Sequence, residues 1–405
     1  MAEPESVVVV GAGQAGASLV QTLRAEGYGG PVTLIGAEPE PPYQRPPLSK
    51  KYLLGDFAAE RLYLKPESYY GEADIRLVTG QAVTGIDREA RTVALAGGDT
   101  VSYGALALTT GAVARRLPEA AGGALGGVHV VRTRGDIDGL APELAEGRRA
   151  IVIGGGYIGL EAAAVLASRG LKVVVVERAE RILNRVACAE TAGFLRDLHR
   201  SHGVEIREGA MMARLEGTER VTEAVFEDGE RLPIDLAIVG IGIAPDTALA
   251  EAAGLTLENG IAVDGQCRSS DPAIYAAGDC ASFPWQGGRI RLESVQNAID
   301  QATHAARAML GAEGAYAPMP WFWSDQYDAK LQIAGLSTDY TRVIERPGSR
   351  AGGRSFWYFR DGAFIAIDAV SDPKAYMTGK RWLEAGHQPD AEGLADPERD
   401  LKTLA

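Results

Sequence analysis

Two stretches of the chain place glycines where a backbone could meet a pyrophosphate. Gly11-Ala-Gly13-Gln-Ala-Gly16 follows the apolar run Val7–Val10, and Gly154-Gly-Gly156-Tyr-Ile-Gly159 follows Ala150–Ile153. In each, a buried strand should turn sharply and open a helix. The first glycine permits the turn. The second has no Cβ, so a pyrophosphate can approach, and the third lets helix pack on strand. Free N–H groups and a partial positive charge at the helix N-terminus receive the phosphates. A single fingerprint can be a tight strand–helix turn with no ligand. Two complete copies in the order strand, glycines, helix point to two dinucleotides.

Acidic residues follow both copies. Glu177 ends Leu171–Glu177 at about the 20-residue spacing of a carboxylate that holds an adenosine ribose. It should accept from the 2′-hydroxyl and repel a 2′-phosphate, which predicts NADH over NADPH, although Arg178 beside it could attract that phosphate. Glu38, just past the strand Pro31–Ile35, lies slightly beyond that spacing; it is either the same contact at the first copy or a solvated surface residue. Ile234-Asp-Leu-Ala-Ile-Val-Gly240-Ile-Gly242 is a further strand-to-glycine turn, which could approach the second nucleotide. Gly278-Asp279 follows another strand, and Asp279 is either a polyol acceptor or a turn former. The stiff loop Pro42–Lys50 carries Arg45 and Lys50, which could bring cations to a phosphate or ring, or lie on a plain surface; Ser49 is expected to cap the helix after it. The helix Glu293–Leu310 starts with N–H groups that could face an electron-rich ring edge.

These residues need a large scaffold. The 405 residues suffice for roughly two or three domains, and 46 % hydrophobic and 23 % charged content is that of a globular protein. A net charge of −13 argues against nucleic-acid and anionic-membrane partners. Cys188, Cys267 and Cys280 form no C-x-x-C pair, so no redox disulfide, zinc site, iron–sulfur cluster or other metal site is expected. The sparse cysteines, an acidic start without a basic signal region and an apolar run too short for a bilayer predict a cytoplasmic protein. Helices are expected over Ala17–Glu26, Leu160–Arg169 and Leu249–Gly254, and strands over Leu77–Val83, Thr92–Leu95 and Leu106–Gly111. Gly122–Gly127 reads as a loosely ordered crossing between domains, and Pro318 and Pro320 as a boundary. Beyond them, strands near 331–334 and 342–345, a hairpin with an Asp361-Gly362 turn, a helix over Lys374–Glu384 and a polar tail carry no nucleotide motif. That unit is structural, dimerising or an active-site cover. The fold class is α/β: two Rossmann-like nucleotide-binding domains plus a C-terminal α+β domain.

The two fingerprints, Arg45-Pro-Pro-Leu-Ser-Lys50, Thr109-Thr110-Gly111, Gly278-Asp279, Glu293-Ser-Val295 and Trp321-Phe-Trp-Ser-Asp-Gln326 stand in a familiar order. Over nearly its whole length the chain resembles the FAD-dependent NADH:ferredoxin reductases of bacterial cytochrome P450 and ring-hydroxylating dioxygenase systems. The resemblance implies FAD on the first fingerprint and NADH on the second. It implies an FAD domain over 1–115 and 245–320, an inserted NADH domain over 116–244 and a C-terminal domain over 321–405 that covers the flavin. The implied FAD contacts are Gly11, Gly13, Ala15, Gly16, Glu38, Arg45, Lys50, Val83, Thr110, Gly111, Arg132, Gly278, Asp279, Val295 and Trp323. The implied NADH contacts are Gly154, Gly156, Ile158, Gly159, Glu161, Glu177 and Gly242. Ala37 replaces an acidic residue found in some relatives, which moves the ribose contact to Glu38, and Asp246 follows Pro245 where relatives often have Asn.

Flavin converts a two-electron hydride into single electrons, which an iron–sulfur acceptor requires. Lys50 is the expected catalytic cation near the flavin, and Glu161 its ion-pair partner near the nicotinamide. The expected partner is a [2Fe–2S] ferredoxin, docked near Trp323, Arg289, Arg291, Arg307 and Lys330 unless those cations are merely scattered. The protein is expected as a monomer or homodimer. Other readings on the same fold are an NADH oxidase, a quinone, monodehydroascorbate or rubredoxin reductase, and an NADH-sensing flavoprotein interaction module. The missing cysteine pair argues against disulfide reductases.

Overall fold

The computed structural model describes residues 3–348 and 352–404. Among them, five helices reach eight residues: α1 (Gln14–Ala25), α2 (Tyr157–Ser168), α3 (Ala189–Ser201), α4 (Val295–Met309) and α5 (Pro373–Ala385). The chain forms two compact units. The first takes residues up to Gln44, Ala59–Val113 and Ile243–Pro318; the second takes Arg45–Ala58, Ala114–Gly242 and residues from Met319 onward. No helix of the described residues is long and apolar enough to cross a membrane.

The first unit is built on a parallel sheet ordered 274–276, 105–108, 7–10, 32–35, 75–78. Val7–Val10 is central and buried throughout, so all four side chains can be apolar. Successive strands run one way from it and then return on its other side. That reversal, between Val7–Val10 and Ala105–Leu108, opens a crevice at the carboxyl ends of the strands. α1 and α4 are neighbours: Thr22 Oγ1 lies 3.4 Å from Thr303 Oγ1, and Arg307 pairs with Glu26, just past α1, at 2.7 Å.

The second unit repeats the plan. Its parallel sheet is ordered 205–208, 172–177, 149–153, 236–239, 128–129. The same reversal falls between Arg149–Ile153 and Leu236–Val239. The unit also holds an antiparallel sheet ordered 321–326, 329–335, 363–370, 354–360, 342–347. Asp361 and Gly362 turn its hairpin with φ of 51° and 84°, as a two-residue turn demands. α5 starts on Pro373 behind Asp372, whose carboxylate accepts the Ala375 amide, and stops at Gly386 with φ of 65°. It packs Tyr376 and Trp382 into a core with Trp357, Phe364 and Ile367.

The α/β class with two Rossmann-like folds and a C-terminal sheet holds. Several local expectations change. α1 and α2 each begin three residues early, which puts Gly16 and Gly159 inside the first turn. The expected strand Leu77–Val83 is broken by Gly80, whose φ of 68° turns the chain between Ile75–Val78 and Val83–Asp87. Gly122–Gly127 is packed, not loose: a Cβ on Gly122 would lie 2.4 Å from Leu215 O. The polar tail buries Leu394, Leu401 and Leu404 through two short helices.

Candidate active site

In the first unit Val10 leads into Gly11, which holds φ at 112° and gives its amide to Ile35 O at 2.8 Å. A Cβ on Gly11 would lie 2.2 Å from Thr109 O, and one on Gly16 2.1 Å from Gly11 O. The fold itself therefore requires both glycines. Gly13 differs. Its φ of −88° and ψ of −163° suit any residue, and a Cβ there meets no described atom within 4 Å. The open backbone at Gly13 fits the close approach of a pyrophosphate.

Thr109 and Gly278 lie against this glycine turn. Thr109 gives its amide to Val10 O and its hydroxyl to Gly11 O, both at 2.8 Å. Thr110 Oγ1 donates to Asp246 O at 2.6 Å, and Gly111 turns with φ of 73°. Gly278, with φ of 84°, lies so close to Ala15 that an added Cβ would be 3.1 Å from that of Ala15. Its amide donates to Gln301 Oε1 at 2.9 Å, whereas Gln301 Nε2 is buried without a partner among the described residues. Asp279 accepts Arg291 Nη1 on its carbonyl at 3.0 Å. Val295 opens α4 behind Ser294, whose hydroxyl accepts the Asn297 amide at 3.1 Å. Glu38 is half-buried and accepts from Tyr43 OH. Val83 stands in an antiparallel sheet opposite Leu95. Arg45, Lys50, Arg132 and Trp323 belong to the second unit, where Arg45 Nη1 donates to Arg132 O at 2.7 Å.

The second cradle has the same logic. A Cβ on Gly154 would lie 2.3 Å from Gly240 O and one on Gly159 2.2 Å from Gly154 O, while one on Gly156 meets no described atom within 4 Å. Glu177 accepts the Gly155 amide on Oε2 at 2.8 Å and the Ala179 amide on Oε1 at 2.7 Å. The carboxylate is thus anchored at the mouth of the glycine turn, with further lone pairs for a ribose. Ile158 is exposed, and Gly242 turns with φ of 99°.

One turn into α2, Glu161 is a buried charge with three partners. Oε2 accepts from Lys50 Nζ and from Ser49 Oγ, both at 2.6 Å; Oε1 accepts from Ser324 Oγ at 2.7 Å. The Glu161 side chain is 1 % exposed and that of Lys50 18 %. A carboxylate taken from water needs such donors, since an unpaired buried charge costs several kcal/mol. Lys50 can show water or a ligand only its outer face. The 3-10 helix Pro46–Ser49, with prolines at its start, makes this possible by holding Ser49 and Lys50 against α2.

Ser49 therefore does not cap the following helix, for which no side-chain cap exists; its hydroxyl is spent on Glu161. Sequence reasoning also missed Ser324, Gln326 and His199, which extend this network. Their signals were present: Ser324 and Gln326 alternate on one strand face, and His199 continues the buried Ala192–Leu195 stripe of α3. Of the candidate docking cations in the first unit, Arg289 pairs with Glu258, Arg291 with Glu293 and Arg307 with Glu26. All three cysteines are buried free thiols whose pKa values are raised, chiefly through burial.

Comparison with known proteins agrees with this geometry. Residues 5–302 match the pyridine nucleotide-disulphide oxidoreductase family and residues 321–405 the reductase C-terminal family. A ferredoxin–NAD(P)(+) reductase of Sphingomonas sp is 44 % identical over 98 % of this chain and 97 % of that protein. Putidaredoxin reductase of Pseudomonas putida is 39 % identical over 99 % and 96 %. The crystal structure of a covalent putidaredoxin reductase–putidaredoxin complex superposes with a TM-score of 0.95 at 38 % identity, over 100 % of this chain and 98 % of that one. The chain belongs to the pyridine nucleotide-disulphide oxidoreductase family, among its ferredoxin reductases.

Proposed function

We propose that the protein oxidises NADH and reduces a [2Fe–2S] ferredoxin, one electron at a time, for a cytochrome P450 or a ring-hydroxylating dioxygenase. The observation that carries this reading is the pair of cradles whose middle glycines, Gly13 and Gly156, have space beside them among the described residues and fit two dinucleotides. As a member of its family the protein is an oxidoreductase that uses FAD and NAD(P)H. FAD, when bound, supplies the exchange between hydride and single electrons.

In this reading the FAD domain spans 1–115 and 245–320, of which residues 1 and 2 lie outside the described residues. The NADH domain spans 116–244. The C-terminal domain spans 321–405, of which 349–351 and 405 lie outside them. Gly11, Gly13, Ala15, Gly16, Glu38, Val83, Thr110, Gly111, Gly278, Asp279 and Val295 bind FAD, with Arg45, Lys50, Arg132 and Trp323. Gly154, Gly156, Ile158, Gly159, Glu177 and Gly242 bind NADH. Lys50 presents its charge to the flavin ring, and Glu161 holds that ammonium in place and positions the nicotinamide. Glu177 selects NADH by repelling a 2′-phosphate. The protein works in the cytoplasm, as a monomer or homodimer.

The test is direct. Purified protein should be yellow, and NADH should bleach it under anaerobic conditions without added thiol. Turnover with ferredoxin should exceed that with oxygen, quinone and rubredoxin. Faster turnover with any of those three would sink the ferredoxin assignment.

A further inference from the structure

Glu161 is the inner end of a longer hydrogen-bonded chain, and it dictates the direction of every link. A carboxylate only accepts. Ser324 must therefore point its hydroxyl proton at Glu161 Oε1, which leaves Ser324 Oγ to accept from outside. Gln326 Nε2 reaches it at 3.1 Å. That turns the Gln326 carbonyl toward His199, whose Nε2 lies 2.8 Å from Oε1. His199 must then carry its proton on Nε2. Its Nδ1 is left to accept from Tyr327 OH at 3.3 Å. Ser324 and Gln326 are each 1 % exposed and His199 is fully buried, so water is poorly placed to replace a missing link.

We propose that His199 is a positioning residue for Glu161, acting through Gln326 and Ser324 to aim a fixed hydroxyl donor at the carboxylate that holds Lys50. This rests on the reading of Lys50 and Glu161 given above. Burial lowers the His199 pKa to about 4, so at neutral pH the ring keeps the one N–H and one lone pair that the chain needs. The other titratable groups nearby are Tyr327 and His202; His202 stacks on Tyr327 with ring centroids 3.7 Å apart. Asp325 alternates to the opposite face of the strand, where it is paired in register with Lys330. Without His199 the Gln326 amide is free to flip and the Ser324 hydroxyl to rotate.

The experiment uses the FAD-loaded full chain, with two readouts: the midpoint potential of the bound flavin, and kcat and KM for NADH. His199→Phe should shift the potential in the same direction as Ser324→Ala and Glu161→Gln. It should lower kcat roughly tenfold while KM for NADH stays within about twofold, as expected when a reacting group is mispositioned. His199→Gln keeps a donor at the Nε2 position and should restore both readouts most of the way. Adding His199→Phe to Ser324→Ala should cost nothing more, because the chain is already cut. If His199→Phe does not fold, Gln326→Met cuts the same chain and must give the same potential shift. An unchanged potential in the folded chain-cutting variant overturns the proposal, provided Glu161→Gln moves it. So does a His199→Gln variant as impaired as His199→Phe, or an additive double variant. If Glu161→Gln itself changes neither potential nor rate, the role assigned to Lys50 and Glu161 fails instead.

Discussion

Lys50 and Glu161 stand 111 residues apart in sequence, yet Nζ and Oε2 are 2.6 Å apart in the second unit. The pair is unequally buried, and that asymmetry makes a prediction. Lys50→Met leaves a buried carboxylate with only two hydroxyl donors and should cost about 3 kcal/mol of stability. Glu161→Gln leaves an ammonium that can turn toward water and should cost about 1 kcal/mol. Urea unfolding of the FAD-loaded proteins measures both. Equal losses would contradict the inequality, and both variants should slow flavin reduction by NADH.

The glycines of each cradle separate fold from ligand. Gly156→Ala fits the extended backbone and should leave thermal unfolding unchanged, while KM for NADH rises roughly tenfold, about 1.4 kcal/mol of binding. Gly13→Ala should likewise fold but release FAD more readily, seen as flavin lost on dialysis. Gly16→Ala and Gly159→Ala drive a Cβ into a backbone oxygen and should lower the melting temperature. A Gly156→Ala enzyme with normal KM for NADH would remove the pyrophosphate from that position.

Glu177 should set nucleotide preference. Glu177→Gln removes the charge that repels a 2′-phosphate, and should raise the ratio of kcat/KM for NADPH to that for NADH about tenfold. Activity with NADH should fall as well, because the new amide would face the Gly155 or Ala179 N–H that the carboxylate accepts. An unchanged ratio would argue that Glu177 only braces the turn.

Asp368 is fully buried beneath the start of α3, where it accepts from Tyr358 OH and, at 2.8 Å, from Thr191 Oγ1. Burial raises its carboxyl pKa from 3.8 to about 6. A raised acid contributes stability below pH 4 that is lost as pH rises through 6. Asp368→Asn abolishes that term. Relative to the parent, its stability should therefore improve by about 2–3 kcal/mol between pH 4 and pH 7, whatever the offset at pH 4. His199 works with the opposite sign: its contribution is complete above pH 6.5 and is lost as pH falls through 4. Urea midpoints of parent and variant at pH 4.5, 5.5 and 7 decide the matter, and a constant difference would refute it.

Much of this was legible because local patterns dictated it. Val7–Val10 and Leu171–Glu177 announced parallel strands, the glycine spacings announced turns, and Asp361-Gly362 announced a hairpin. Helix starts were misplaced because glycine is a poor helix former, and only packing against the neighbouring strand reveals why Gly16 and Gly159 belong inside. Ser49 looked like a cap because its chain neighbours were visible and its partner on α2 was not. The network around Glu161 was hidden for the same reason. Ser324, Gln326 and His199 become meaningful only when a strand and two helices from distant parts of the chain converge.

The interleaving of the two units has a consequence for how the protein is made. The first unit gains its edge strand, Ile274–Ala276, and α4 only from chain that follows the whole of the second Rossmann fold. The segment Arg45–Ala58 emerges from the ribosome well before Glu161, the residue that retains it. Neither unit can therefore be completed during synthesis in the order its sequence is read. Early segments must wait, partly folded, for late ones. Splitting the gene between Val113 and Ala114 should yield two fragments that reassemble when co-expressed and precipitate when made alone.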